Sequence, residues 1–188
     1  MNPGSVLEFW FGPESDAENA ARDFWFRKSD AVDAEIRTRF GPTIEAALAG
    51  DLERWSATPA GARALILVLD QFTRNVFRGT PRSFDGDASA RELAHRLVAA
   101  GHDRTCRPLE RWFVYMPFEH SESLVDQYES VRLFRQLARD GLDSPLEWAQ
   151  KHFDVIRRFG RFPHRNEILG RSSSAQELAF LQQPGSRF

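Results

Sequence analysis

The sequence predicts an all-α fold of about eight to ten helices packed as antiparallel pairs, on three observations. Apolar residues recur at three- and four-residue spacing in one segment after another. Helix start and stop signals punctuate those segments: capping residues before, glycine or proline after. No stretch of four or more residues alternates apolar and polar side chains with β-branched enrichment, as a half-buried strand would.

Val6 to Phe11 is a short aromatic-rich segment stopped by Gly12-Pro13. Ser15-Asp16-Ala17-Glu18 has the form of a capping box, and Ala17, Ala20, Ala21, Phe24 and Trp25 follow at helical spacing, which predicts a helix to about Phe26. Asp30 to Phe40 reads as a second helix with Gly41-Pro42 as its stop, and Pro42 then opens a short helix ending at Gly50. After Leu52 to Trp55, Thr58-Pro59 starts a long central helix that Gly79-Thr80-Pro81 ends. Asp87 to Ala100 is helical with Gly101 at its C-terminal cap, and Pro108 to Met116 is helical until Pro117 interrupts it. Phe118 to Asp140 carries a further helix or kinked pair that stops at Gly141. Ser144-Pro145-Leu146-Glu147 reads as a second capping box with proline at the first helical position and opens a helix lasting to Phe159, residues 160–171 are irregular, and Ser174 caps a last helix to about Gln182.

At 188 residues the chain is predicted to form one domain, residues 1–188. A net charge of −2 excludes a general nucleic-acid-binding role, which needs a basic excess. No apolar run approaches the roughly 20 residues of a membrane helix, so neither membrane nor nucleic acid is an expected partner and a cytoplasmic location is expected. A single cysteine, Cys106, excludes an internal disulfide and any multi-cysteine metal site. Of the 25 basic residues only Lys28 and Lys151 are lysines, and arginines cluster at positions 74, 78 and 82 and again at 157, 158, 161 and 165. Forked guanidinium donors suit carboxylate or phosphate.

Three stretches set polar residues among aromatics, the composition of a pocket lining. In the first, Asp70 and Arg74 share one helix face, while Gln71, Asn75 and Arg78 share another. Six apolar residues, Ala64 to Leu69, precede them, so Asp70 sits at the end of a buried segment and needs a partner. The second, Tyr115 to Gln127, holds Glu119, His120, Glu122 and Asp126; with a helix starting at Pro117 the three carboxylates would line one face. The third, Phe159 to Glu167, crowds Arg158, Arg161, His164, Arg165 and Asn166 around Gly160 and Pro163, a turned backbone able to present arginine forks to an anion.

No metal or cofactor is called for. Glu92 and His95 have di-iron bundle spacing but lack the second pair such sites need, and a mixed site from Glu119, His120, His152 and His164 has no signature in sequence. Cys106 has no recognisable histidine partner, and glycine-rich phosphate loops are missing. One internal echo stands out: Leu69-Asp70-Gln71-Phe72 against Val125-Asp126-Gln127-Tyr128.

The motifs LDQFTRNVFRGTPRSF, FVYMPFEHSE with the DQ that follows, and FGRFPHRNEILGR, in this order, resemble the bacterial domain of unknown function 924 family over about Leu7 to Leu181. The resemblance implies a tetratricopeptide-like, right-handed all-α array without consensus repeats, and it brings no activity, substrate or catalytic residue with it. Thr73 departs from the family pattern, which has proline after Asp-Gln-Phe.

Two function classes follow. In the first, the three stretches converge on an inter-helix pocket for a small anionic or polar ligand, with hydrolase or transferase chemistry left open. There Asp70 and Glu119 would be acid/base groups, His120 and His164 proton carriers, and Arg74, Arg161 and Arg165 an anion clamp, with Gln71, Asn75, Arg78 and Asn166 as further ligand contacts. In the second, the chain is a scaffold for a peptide or protein partner, its polar clusters are structural ion pairs, and Trp10, Trp25, Trp55 or Trp112 line an exposed apolar groove.

Overall fold

The computed structural model describes residues 1–13 and 20–187, and among these it is all-α, with no strand. Nine α-helical segments run in order: α1 Pro3–Phe11, α2 Asp30–Leu48, α3 Pro59–Ile66, α4 Thr73–Val76, α5 Asp87–Ala99, α6 Pro108–Glu119, α7 Leu124–Arg139, α8 Ser144–Phe159 and α9 Ala175–Leu181. Short 3-10 turns, such as Glu53–Ala57 and Pro163–Arg165, link several of them. Helices α6, α7 and α8 are joined by tight connections and pack side by side, α7 lying against both neighbours. No helix among the described residues is long and apolar enough to cross a membrane.

The capping signals are realised at several places. Thr58 accepts from the Gly61 N–H to start α3, and Ser174 and Glu177 form a reciprocal capping box at α9. Gly101, Gly141 and Gly160 end α5, α7 and α8 with φ of 71°, 101° and 70°, the left-handed region that a side chain resists. At α8 the capping box fails to form, because Asp143 takes the cap position and makes no side-chain cap bond.

Two predicted proline stops are overridden. Helix α2 runs through Gly41-Pro42, and α6 runs through Pro117 to Glu119. An interior proline costs about 3 kcal/mol, whereas each large apolar side chain taken out of water contributes about 1.5–3 kcal/mol. Ile36, Phe40 and Ile44 form one buried stripe across Pro42, and Phe113, Val114 and Phe118 are buried around Pro117, so packing outweighs the lost hydrogen bond. The second override moves a helix boundary: α6 ends at Glu119 and α7 begins at Leu124, so Glu119, Glu122 and Asp126 do not share a face.

The predicted helix over residues 15–26 is also corrected. Its capping box lies outside the described residues, and residues 20–26 are irregular, with turns and bends from 23 onward. Consecutive aromatics explain this. Trp25 is buried against Phe113 with centroids 4.8 Å apart and donates its Nε1–H to the Trp10 carbonyl at 3.0 Å, while Phe26 stacks on Trp112 at 4.7 Å. One helix face could not deliver neighbouring rings to those separate places.

The central helix holds the largest departure from regularity. Between α3 and α4, Leu67–Phe72 forms a π-helical turn. The chain approaches it closely at Gly86, where a Cβ would sit 2.2 Å from the Leu69 carbonyl oxygen. Thr73 donates its hydroxyl to that same carbonyl at 2.7 Å. Aromatic residues from α1, α2, the π turn and α6, chiefly Trp10, Phe40, Phe72 and Phe113, fill the main core. A smaller cluster of Val155, Ile156 and Phe162 seats the C-terminal segment with Phe180.

Candidate functional site

The π turn carries Asp70 and Gln71. Asp70 is 1% exposed, and a carboxylate so placed must be met by donors. It receives Gln71 Nε2 at 2.5 Å, His120 Nδ1 at 2.7 Å and Arg74 Nη1 at 3.1 Å. Burial alone would push its pKa up, but Arg74, His120 and Gln71 outweigh burial and hold it well below the ordinary carboxylate range. Arg74 also donates Nη1 to the Asp70 carbonyl at 2.6 Å, so one side chain fixes both the backbone and the charge of the bulge. Its fork then grips Asp87 at 2.8 and 3.0 Å.

His120 follows the last residue of α6, and Gln127 fixes that helix end. The fully buried Gln127 amide donates to the carbonyls of Glu119 and Ser121, both at 2.7 Å, satisfying acceptors that a helix C-terminus leaves open. Burial pushes the His120 pKa down and prevails over the Asp70 charge, which Arg74 already offsets. The neutral ring therefore donates Nδ1–H to Asp70 and carries its lone pair on Nε2. Beside it, His152 Nδ1 lies 2.8 Å from the Trp148 carbonyl and 2.9 Å from Glu119 Oε1, two acceptors that share one N–H.

Gln71, Arg74, Glu119, His120 and His152 line a cleft of about 460 Å³, with Asp70 bonded to His120 but outside the lining. Central-helix residues Gln71, Arg74, Asn75 and Arg78 form one wall, Trp112, Met116, Glu119 and His120 a second, and Trp148 and His152 of α8 a third. Residues 24–28 and Arg187 complete the rim. Trp148 is 47% exposed and Phe26 58% exposed, so the mouth is aromatic and open to solvent. Among the described residues, Arg27 and Arg187 have no ion-pair partner, whereas Arg78 is held by Asp33 at 3.0 Å and Asn75 binds the same carboxylate at 2.7 Å. Glu119, 3% exposed, keeps one oxygen, Oε2, without a hydrogen-bond donor among the described residues. An unmet buried acceptor of that kind costs about 1–3 kcal/mol or more.

The first two polar stretches thus meet, with Asp70 and His120 in contact across 50 residues of sequence. The third does not reach the cleft lining. Arg161 is locked to Glu177 by a fork of 2.6 and 2.8 Å and to the Ser172 carbonyl, tying α9 down. Asn166 bonds Ser173 and Arg171. Arg165 touches the site only from behind, 3.5 Å from the second oxygen of Asp87, and lies over the rings of Phe84 and Phe162. Burial, reinforced by the Arg74 charge, lowers its pKa to about 10. His164 packs against Phe162, and burial followed by the Arg165 charge pushes its pKa down to about 3.

The carboxylates predicted to line one face separate. Glu122 turns to Arg171 and the Phe162 N–H, and Asp126 to Ser121, Arg91 and His95. Trp10 and Trp55 are buried away from the cleft, and of the four predicted groove tryptophans Trp25, itself buried, and Trp112 line it. No group of three or more metal-ligating side chains occurs among the described residues. Burial raises the Cys106 thiol pKa, which leaves it protonated and a poor nucleophile.

Sequence reasoning missed the role of His152 and Trp148 as lining. Their i, i+4 spacing on an amphipathic helix was readable, but the face they share could not be assigned to this cleft. Arg27, Phe26 and Arg187 carried no signal, since they lie in irregular segments.

Comparison with known proteins places these features in context. A family model described as "Bacterial protein of unknown function (DUF924)" matches residues 6–185. A solved structure, that of a protein of unknown function, ATU0120, from Agrobacterium tumefaciens, is 35% identical, covers 96% of each chain and aligns with a TM-score of 0.86. Among curated proteins none matches.

Proposed function

The chain belongs to this family of bacterial proteins of unknown function, a membership that brings no activity with it, and from the geometry we propose that the cleft binds a small anionic ligand. The observation that carries the proposal is the pairing, in one cleft, of a buried Asp70–His120 dyad with a rim of cations, Arg27 and Arg187, that no described residue neutralises. An anion at the mouth offsets the rim, and the aromatic walls accept its apolar body. His120 Nε2 then stands as a proton acceptor, with Asp70 orienting the ring and stabilising the imidazolium that forms on protonation. On this reading the whole chain acts as one unit in the cytoplasm.

The test is a thermal-shift screen of phosphates and small carboxylates, because a ligand selective for the folded state raises the midpoint. A rise that His120→Asn reduces and Arg27→Ala reduces further supports the reading. No rise with any anion refutes it.

A second reading, a tetratricopeptide-like scaffold with structural ion pairs, draws support from the third stretch. Arg161–Glu177, Arg171–Glu122 and Arg82–Glu45 join separate segments. The two readings concern different parts of the molecule: struts behind, cleft in front.

A further inference from the structure

We infer that the ligand of this cleft carries a protonated amine at its inner end, held by Glu119, on a flat apolar body whose anionic end faces Arg27 and Arg187. The inference rests on the anion-binding reading and adds the chemistry of the other end.

Glu119 is the starting point. Its Oε1 receives one imidazole N–H, from His152 Nδ1 at 2.9 Å, and that N–H is shared with the Trp148 carbonyl at 2.8 Å. Its Oε2 receives no donor among the described residues, although the residue is 3% exposed and lines the cleft. Buried carboxylates ordinarily collect several donors. Asp70, on the π turn of the central helix, collects three. The difference between these neighbouring acids is that Asp70 is finished by the protein and Glu119 is not.

The nearest cation cannot make up the deficit. Arg74 is shared between Asp70 and Asp87. The next arginine, Arg165, lies on the far side of Asp87. The cleft therefore offers one unmet carboxylate oxygen, at Glu119, and two cations on its rim without an ion-pair partner among the described residues, which matches a ligand with a cation inside and an anion outside. Between the two ends, Trp112, Met116 and Glu119 follow one another on one face of α6. Seven residues of helix span about 10 Å, the length of a single ring with a substituent at each end. Trp148 and Phe26 offer aromatic surface to such a ring.

Calorimetric titration of the full chain with three probes tests this: para-aminomethylbenzoate, which has both ends, para-methylbenzoate, which lacks the amine, and benzylamine, which lacks the carboxylate. The two-ended probe is expected to bind roughly tenfold or more tighter than para-methylbenzoate, as a charge-assisted hydrogen bond would give. Glu119→Gln is expected to bring that ratio close to one and to leave para-methylbenzoate binding little changed. Should that variant not fold, the wild-type ratio decides alone. Equal affinity for para-methylbenzoate and para-aminomethylbenzoate overturns the inference and leaves the anion reading standing. Benzylamine binding as tightly as the two-ended probe supports the Glu119 assignment and removes the anion reading. Failure of all three to bind overturns both.

Discussion

A carboxylate as deeply buried as Asp70 stays charged only while its donors stay in place, and this makes Arg74 the residue whose loss the fold should feel most. Breaking a buried ion pair by removing one partner costs about 3–5 kcal/mol. Arg74→Met, which keeps the stem and removes the fork, is expected to destabilise by that order in chemical denaturation, since it leaves the buried Asp70 without its arginine and Asp87 with Arg165 alone at 3.5 Å. Histidine sets the pH response. An unfolded histidine titrates near 6.5, while burial pushes His120 down and takes His164 to about 3. As pH falls below the unfolded value, the unfolded chain takes up protons that the folded chain refuses, so stability drops with pH across that window. Asp70 acts in the same direction in a lower window: its folded pKa is depressed, so its contribution persists until pH falls below about 3.9, the unfolded aspartate value. His164→Gln should therefore flatten the dependence of the melting midpoint on pH between about 7 and 5. An unchanged slope would show that His164 is not the group responsible. The requirement that Asp70 have a partner was legible in sequence because six apolar residues lead into it. Which partner it takes was not, since His120 lies 50 residues away and only packing joins them.

At the scale of elements, the π turn Leu67–Phe72 aims Asp70 and Gln71, and single-turn π-bulges recur at functional sites. Its close contact with Gly86 gives a sharp contrast between glycines. Gly86→Ala drives a methyl against the Leu69 backbone and should cost about 1–3 kcal/mol, with weakened ligand binding as the turn shifts. Gly41→Ala, inside α2 with no atom outside its own helix and chain neighbours within 4 Å of the new methyl, meets only the Pro42 ring that follows it and should cost less than about 1 kcal/mol. Equal effects at the two positions would remove the argument for close approach. Helix starts and stops that rest on local chemistry, such as Thr58, Ser174 and Gly160, were legible in sequence. Boundaries decided by tertiary burial, at Pro42 and Pro117, were not, because the apolar stripes that override a proline are recognised only once their packing partners are known. The Pro117 boundary mattered most. It relocates Glu119 from an acidic helix face to the floor of the cleft and puts His120 on Asp70.

For the molecule as a whole, the cleft draws on the central helix, α6, α8, the segment at residues 24–28 and Arg187. The all-α class follows from patterns along the chain, whereas the meeting of the first two polar stretches follows from packing. The exclusion of the third follows from Glu177 and Asp87, which claim Arg161 and back Arg165 away from the lining. Such competition between carboxylates for one arginine is a property of the folded molecule and leaves no trace in local spacing. The central claim is that a cationic rim above the Asp70–His120 dyad makes this cleft an anion site. Calorimetric titration of para-methylbenzoate into the wild-type chain and into an Arg27→Ala, Arg187→Ala double variant tests it most directly. Saturable binding to the wild type, lost or weakened by roughly tenfold or more in the variant, is the predicted result. Binding of equal strength to both, or no binding to the wild type, would contradict it.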